Sequence, residues 1–133
     1  MTARIEYLGE LRTQATHLLS GQQIITDAPP DNQGRGEAFS PTDLCATSLG
    51  CCMMTIMGIA ARTHDIDMTG ATAEITKIMA ADPRRIARIE VKIQMPAREY
   101  SAKQKAILEN AAKGCPVSRS LNANLEEVVT IVW

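Results

Sequence analysis

One stretch of the sequence, residues 40–63 (SPTDLCATSLGCCMMTIMGIAART), constrains the fold more than any other. From residue 44 to residue 61 its only polar side chains are the small hydroxyls of Thr47, Ser48 and Thr55. Because a helix of this composition has no face polar enough for an ordinary protein surface, most of its sides must be covered. Such a helix would be about 35 Å long, which is more than a single sheet of one small domain can cover. The stretch therefore predicts a buried helix and suggests a second subunit.

The start of this helix is marked by three residues. Ser40 can cap the free N–H groups, Pro41 suits the first helical position, and Asp43 completes a capping-box-like pattern at the positive end of the helix dipole. We therefore expect the helix to begin at Ser40. The alternative is a membrane span, but Asp43 and Arg62 enclose only 18 uncharged residues, which include two Gly and three Cys. This composition favours the core helix of a soluble protein, and we expect no membrane partner.

Length and composition limit the function. With 133 residues the chain is long enough for a real core, and we expect a single domain over residues 1–133. A formal net charge of −1 does not steer the chain toward nucleic acid or acidic lipid, so no nucleic-acid partner is expected. The first twelve residues, MTARIEYLGELR, contain no apolar signal segment, which predicts a cytoplasmic protein with reduced cysteines.

The rest of the chain predicts short strands and two further helices, an α+β composition. Before the long helix we expect a small antiparallel sheet, with a hairpin through Ser20 and Gly21 and strands at residues 4–7, 11–19 and 22–27. Residues 28–39, with two prolines and two glycines, predict an exposed loop. After the long helix we expect strands at residues 71–80, 86–95 and 126–133, a helix from a Ser101 cap to Gly114, and a short helix from Cys115.

Four cysteines are the candidates for chemistry, although each could also be only a small buried hydrophobic residue. Cys115 lies at a helix N-terminus fixed by Pro116, where unpaired N–H groups favour a thiolate, so we expect a depressed pKa for this thiol. Cys45 and Cys52 lie two turns apart on one helix face, whereas Cys51 points elsewhere. There is no C-x-x-C pair and the two histidines are at unrelated spacings, so no metal site is expected.

Two motifs in the chain resemble those of the OsmC/Ohr family. The first is S-P-x-(D/E)-L followed by a cysteine eleven residues after the proline, here Pro41 to Cys52, and the second is CPVSxSL, here Cys115 to Leu121. The order of the other predicted elements resembles that family over essentially the whole chain. The resemblance implies an OsmC-like α+β fold of antiparallel sheets, a long central helix that carries Cys52, and an intertwined homodimer in which each front sheet wraps the other chain.

The resemblance also implies an activity, that of a thiol-dependent peroxidase that reduces organic hydroperoxides in oxidative stress defence. By position, Cys52 would be the peroxidatic thiol and Cys115 the resolving thiol. A sulfenic acid on Cys52 would condense with Cys115 to a disulfide, and an external dithiol reductant, lipoyl-linked in this family and either free or carried on a lipoylated protein, would restore both thiols. No bound cofactor is expected.

The peroxidase branch of the family also has an arginine in its first strands that stabilises the thiolate, and Arg12 lies at the matching distance before the hairpin. A guanidinium near Cys52 would lower the pKa of its thiol and bind the developing oxyanion. That branch places a glutamate directly after the proline, where it pairs with the arginine; here the position is Thr42, and Asp43 follows it. We therefore expect Thr42 and Asp43 beside the site, in an OsmC-like subgroup that differs from this peroxidase branch.

Two functions stay open. The first is the cysteine peroxidase, which the spaced thiol pair and Arg12 indicate. The second is a non-enzymatic dimer that binds a small hydrophobic ligand or senses oxidants in an apolar crevice, and the absence of the glutamate favours it. Methionine is frequent and aromatic residues are only 3% of the chain, so such a crevice would be lined by Met53, Met54 and Met57.

Overall fold

The structure is a computed structural model that describes all 133 residues, and the chain divides into two compact units, residues 1–45 and 46–133. The first unit contains three strands, a loop and the first turn of the long helix. The second contains the rest of that helix, three further strands and two further helices. The expected single domain over residues 1–133 stays a prediction.

The first unit is built on a three-stranded antiparallel sheet in the order β1-β2-β3. Its strands are β1 (Ala3–Gly9), β2 (Arg12–His17) and β3 (Gln23–Asp27). The predicted hairpin between β2 and β3 is confirmed, and the chain turns there through Gly21 with a φ of +73°, which glycine adopts without strain. The predicted loop at residues 28–39 contains one short 3-10 turn, Pro30–Asn32.

This sheet has an apolar face that the chain itself leaves uncovered. Ile5, Ala15 and Ile24 lie opposite one another across the three strands, and Tyr7 lies two residues along the same face. The exposed fractions of Ile5, Tyr7 and Ile24 are 68%, 64% and 50%. The buried residues of the first unit are all polar: Thr26, Asp27 and Ser40. Because a three-stranded sheet needs a buried hydrophobic face for stability, this sheet requires an apolar partner.

The long helix α1 spans Pro41–Thr63, as predicted. Its capping box is complete, because the N–H of Asp43 donates to Ser40 Oγ at 3.1 Å and the N–H of Ser40 donates to Asp43 Oδ2 at 2.8 Å. The opposite sides of the helix differ, since Ile59 is 57% exposed and Cys51 is exposed as well. The buried side repeats every three or four residues and consists of Ala46, Leu49, Gly50, Met53, Met57 and Ala61.

By length and composition alone, α1 could cross a membrane. An 18-residue window of the helix has a mean hydropathy of 1.8, and 33% of that window is buried within the chain. The core helix of a soluble protein passes the same test, so the finding is weak support for a membrane span. One chain therefore does not supply the cover on most sides that the sequence of this helix requires.

The second unit contains a mixed sheet. Strand β4 (Thr72–Ala81) pairs antiparallel with β5 (Arg84–Gln94), whereas β6 (Glu126–Val132) pairs parallel with β5. The prediction of antiparallel sheets is therefore wrong for β6. The physical reason is the connection between β5 and β6, which forms helix α2 (Ala102–Lys113) and helix α3 (Pro116–Ser120). A helical connection of this length returns the chain to the starting end of β5, so that β6 runs in the same direction.

One face of this sheet forms the core with the helices. The four residues whose alternation with polar residues predicts β5 are each at most 2% exposed: Ile89, Val91, Ile93 and Met95. They belong to one cluster with Leu49 and Met57 of α1, Leu108 of α2, and Cys115. Gly50 allows α1 to approach the sheet closely, since a Cβ atom at this position would lie 2.4 Å from Ile75 Cδ1. This close packing holds the middle of α1, where Cys52 lies, against the core.

Candidate functional site: a thiol pair and an arginine cluster

The two cysteines predicted to be redox partners lie together in the second unit. Cys52 is in the middle of α1 and is partly buried, whereas Cys115 directly precedes α3 and is 0% exposed. Their side chains are hydrogen-bonded to each other, and both are free thiols. The fold thus brings two thiols that are far apart in the sequence into direct contact.

The junction between α2 and α3 positions Cys115. Helix α2 begins with the predicted capping box between Ser101 and Gln104 and ends at Gly114. Pro116 then occupies the first position of α3, where its missing N–H costs nothing. The N–H of Cys115 donates to the carbonyl of Ala112 at 3.3 Å, and its side chain belongs to the core cluster. The thiol is therefore buried because the chain turns tightly between two helices that pack on the sheet.

The expected depressed pKa of Cys115 is wrong. Burial raises the pKa of this thiol above its ordinary value, and the hydrogen bond with Cys52 raises it further. The backbone N–H groups of Ser118 and Val117 lower it, as the position at a helix N-terminus predicts. Burial has the larger effect on this pKa, because the thiolate loses more stabilisation when water is excluded than the two N–H groups supply. Cys115 is therefore a neutral thiol at neutral pH.

The other two cysteines lie outside this pair. Cys51 is exposed on α1, and Cys45 is partly buried in the first unit. No group of three or more His, Cys, Asp or Glu side chains is arranged to hold a metal ion. Cys52 and Cys115 are therefore the two thiols that the second unit brings together.

The predicted arginine lies in the first unit, where two carboxylates that the sequence analysis missed hold it. Arg12 lies directly opposite Asp27 in the β2–β3 ladder, and its Nε and Nη2 donate to Asp27 Oδ1 and Oδ2 at 2.7 and 2.8 Å. Nη2 also donates to Glu37 Oε2 at 2.8 Å. The backbone N–H of Glu37 in turn donates to Asp27 Oδ2 at 3.1 Å. The predicted hairpin could have indicated the contact between Arg12 and Asp27, because the turn of a hairpin sets the register that places residue 27 opposite residue 12.

The charges of Arg12 and Asp27 stabilise each other. The hydrogen bond from Arg12 lowers the pKa of Asp27, and burial, which acts in the opposite direction, does not reverse this. The bond to Asp27, followed by the bond to Glu37, raises the pKa of Arg12 above its ordinary value. Both Arg12 and Asp27 are therefore ionised at neutral pH.

Thr42 and Asp43 lie in the first turn of α1, which belongs to the first unit. Asp43 makes both hydrogen bonds of the capping box with Ser40, and Ser40 Oγ lies 3.1 Å from Thr42 Oγ1. Asp43 therefore fixes the start of the helix, and the carboxylates that hold Arg12 are Asp27 and Glu37.

A cleft of about 450 Å³ opens on the second unit near the junction of α2 and α3. Its polar side includes Ser118, whose Oγ donates to Glu127 Oε2 at 2.8 Å. Of the methionines predicted to line an apolar crevice, Met53 lines this cleft, whereas Met57 is a core residue with 0% exposure. The lining residues are Met53, Glu109, Ala112, Lys113, Ser118, Glu127, Val129 and Ile131.

The chain is similar to one family of proteins. Residues 34–128 match the family model described as OsmC-like protein. A solved structure from Psychrobacter arcticus 273-4, provisionally assigned as an osmotic stress induced and detoxification response protein, is 52% identical over 98% of this chain and 95% of that chain, with a TM-score of 0.94. No curated protein matches the chain.

More distant structures share the fold. An organic hydroperoxide resistance protein OsmC from Legionella pneumophila is 15% identical over 100% of this chain and 98% of that chain, with a TM-score of 0.74. The organic hydroperoxide resistance protein OhrB of Bacillus subtilis is 14% identical over 98% of each chain, with a TM-score of 0.66. The α+β fold with two small sheets is therefore the fold of these proteins.

The burial of Cys115 predicts an order of reactivity between the paired thiols. In a variant that lacks Cys45 and Cys51, iodoacetamide at neutral pH should modify Cys52 about tenfold faster than Cys115 or more, because Cys115 is inaccessible and protonated. Mass spectrometry of timed samples measures both rates. In concentrated urea the two rates should become similar. Equal rates in the folded protein would contradict the burial and protonation of Cys115.

The pair of Arg12 and Asp27 predicts a loss of stability in acid. Because folding lowers the pKa of Asp27, the pair stabilises the protein fully above the unfolded-state pKa of about 3.9, and this stability is lost as the pH falls through the lower folded-state pKa. Asp27→Asn should therefore lower the free energy of unfolding at neutral pH, by an amount that shrinks below about pH 4. Urea unfolding followed by circular dichroism measures this difference, and a difference independent of pH would contradict it.

Proposed function

The chain belongs to the OsmC-like protein family, and from this premise we propose that it is a cysteine peroxidase that reduces organic hydroperoxides in oxidative stress defence. Solved structures of the same fold include proteins named for organic hydroperoxide resistance. The observation that carries the proposal is the hydrogen-bonded pair of a partly buried Cys52 and a fully buried Cys115. Two thiols in contact can exchange between thiol and disulfide with little movement of the chain.

Cys52 is the thiol that we assign to the attack on peroxide. Its thiolate attacks the terminal oxygen of the hydroperoxide, an S–O bond forms, the O–O bond breaks, and the leaving alkoxide takes up a proton to become the alcohol. Cys52 is thereby oxidised to a sulfenic acid. Cys115 does not compete for the peroxide, because it is buried and burial keeps its pKa high. The difference between the two thiols thus supports the division of roles.

Cys115 is the thiol that we assign to resolution. Its sulfur attacks the sulfenic sulfur of Cys52, the S–S bond forms, and the Cys115 proton leaves with the sulfenic hydroxyl as water. The N–H groups of Val117 and Ser118, which donate to this sulfur, stabilise the negative charge that develops as the proton leaves. An external dithiol of the lipoyl type, free or on a lipoylated protein, then reduces the disulfide by exchange and becomes a disulfide itself. The reaction is proposed for the cytoplasm and needs no bound cofactor.

Arg12 is the residue proposed to stabilise the Cys52 thiolate and the leaving alkoxide. The two carboxylates engage Nε and Nη2 of its guanidinium, which leaves Nη1 as the nitrogen for an anion. Charge-assisted hydrogen bonds to an anion are roughly twice as strong as neutral ones. Thr42 and Asp43, at the start of α1, are proposed as neighbours of this site.

We propose that the active form is an intertwined homodimer in which each first-unit sheet wraps the other chain. Two uncovered apolar surfaces support this proposal: the sheet face of Ile5, Tyr7 and Ile24, and the side of α1 that carries Ile59. Exposed apolar surfaces of this kind mark protein interfaces. A second copy of the chain would supply apolar surface to both.

A second candidate function is the binding of a small hydrophobic ligand, or the sensing of oxidants, by a non-enzymatic dimer. The cleft of about 450 Å³ favours it, since this volume lies in the range of small-molecule sites and Met53, Val129 and Ile131 make part of its lining apolar. Native mass spectrometry that finds a retained ligand, together with an absence of turnover with every dithiol, would favour this function over the peroxidase.

The peroxidase proposal predicts the kinetics of three variants. With dihydrolipoamide as reductant, the wild type should reduce cumene hydroperoxide faster than hydrogen peroxide. Cys52→Ser should lose turnover, because it removes the thiolate that attacks. Cys115→Ser should lose turnover as well but still reduce one equivalent of hydroperoxide. Cys51→Ser is the matched control and should keep wild-type turnover; a Cys52→Ser protein as active as the wild type would overturn the proposal.

The dimer proposal predicts a particle of twice the chain mass of 14.4 kDa in light scattering. Ile5→Asp should lower the dimer population at micromolar concentration, because it places a charge on the uncovered apolar face of β1. The neighbouring Glu6→Gln, which points to the opposite face of the strand, is the control and should remain a dimer. A wild-type monomer at these concentrations would contradict the proposal.

A further inference from the structure

The guanidinium of Arg12 is shared by two carboxylates that differ sharply in their surroundings. The side chain of Asp27 is 1% exposed, that of Arg12 is 23% exposed, and that of Glu37 is 63% exposed. Asp27 accepts from two nitrogens of the guanidinium, whereas Glu37 accepts from one. The two acidic residues therefore cannot be equivalent in how they hold Arg12.

Asp27 is placed by the backbone of the sheet. It is the register partner of Arg12 in the antiparallel β2–β3 ladder, so the distance between the two side chains is set by strand pairing. Its short side chain uses both oxygens on the Nε and Nη2 edge, a bidentate geometry that fixes the plane of the guanidinium. A buried carboxylate must keep such a partner, since removal of the partner leaves an uncompensated charge.

Glu37 is placed by a loop. It lies within residues 28–39, and its single contact with Nη2 is open to solvent, where ion pairs contribute little. Its backbone N–H donates to Asp27 Oδ2 at 3.1 Å, so the loop is tied to Asp27 through the main chain, independently of the Glu37 carboxylate. Water or an anion can therefore replace the Glu37 carboxylate without turning the guanidinium.

We infer that Asp27 is the positioning residue for Arg12, which fixes the plane of the guanidinium and the direction of Nη1 for the role proposed above, while Glu37 is dispensable for this orientation. The inference rests on the proposed function. Asp27 does not touch the hydroperoxide in this scheme; it acts through Arg12. A misplaced guanidinium is expected to slow the reaction by about 10- to 100-fold.

The sign of the effect separates positioning from simple electrostatics. Asp27→Asn removes a negative charge next to Arg12 and leaves more positive charge for an anionic thiolate. If Asp27 only neutralised Arg12, this substitution would accelerate the oxidation of Cys52. If Asp27 orients Arg12, the substitution slows it, because an amide cannot accept from both nitrogens.

The test measures the single-turnover rate constant for oxidation of Cys52 by cumene hydroperoxide in the full-length protein. The variants are Asp27→Asn, Glu37→Gln, Arg12→Gln and the double variant of Asp27 and Arg12, each first checked for folding by urea unfolding. We expect Asp27→Asn to slow oxidation about 10- to 100-fold and Glu37→Gln to change it much less. In the Arg12→Gln background, Asp27→Asn should have no further effect on the rate constant.

A second readout does not depend on turnover. The Nε–H of Arg12 should give a slowly exchanging proton signal in ¹H–¹⁵N spectra of the wild type and of Glu37→Gln, and this signal should be lost in Asp27→Asn. A faster or unchanged oxidation in Asp27→Asn, or an equal loss in Glu37→Gln, overturns the inference while the peroxidase stands. A wild-type Cys52 that cumene hydroperoxide does not oxidise overturns the peroxidase, and the positioning role falls with it.

Discussion

An apolar helix must be covered along most of its surface, and this requirement on α1 governs the rest of the structure. The sheet and helices of the second unit cover the side that carries Leu49, Met53 and Met57. The side that carries Ile59 stays open, and the sheet of the first unit also has an uncovered apolar face. Both surfaces are exposed in the single chain. Assembly with a second copy, as proposed, would thus be a condition of the fold.

The packing of the second unit around α1 also determines the chemistry of the two thiols. A helix N-terminus stabilises a thiolate, and the N–H groups that donate to Cys115 do so here. The core around Cys115 nevertheless has the larger effect, because it excludes the water that a thiolate needs. Cys52 lies in contact with Cys115 but closer to solvent. One hydrogen-bonded pair therefore contains an accessible thiol and a protected thiol, which a sequential oxidation requires.

Local patterns predicted the parts of the structure that local interactions determine. The capping boxes at Ser40 and Ser101, the hairpin through Gly21 and the alternation in β5 are all present. The parallel pairing of β6 was not predicted, because strand direction depends on the path of the chain between β5 and β6. The raised pKa of Cys115 was missed for a similar reason, since burial is a property of the packed core. Asp27 was missed because only the register of the hairpin shows that it lies opposite Arg12.

In place of a glutamate at position 42, this chain supplies Arg12 with carboxylates from other residues. If Arg12 depended on a carboxylate from the start of α1, Thr42 would leave it without a counter-ion, and Asp43 is already bound to the helix cap at Ser40. Arg12 instead takes its carboxylates from β3 and from the loop that follows, at Asp27 and Glu37. Strand pairing fixes the backbone position of Asp27 directly opposite Arg12. The departure at Thr42 therefore does not by itself argue against a functional arginine.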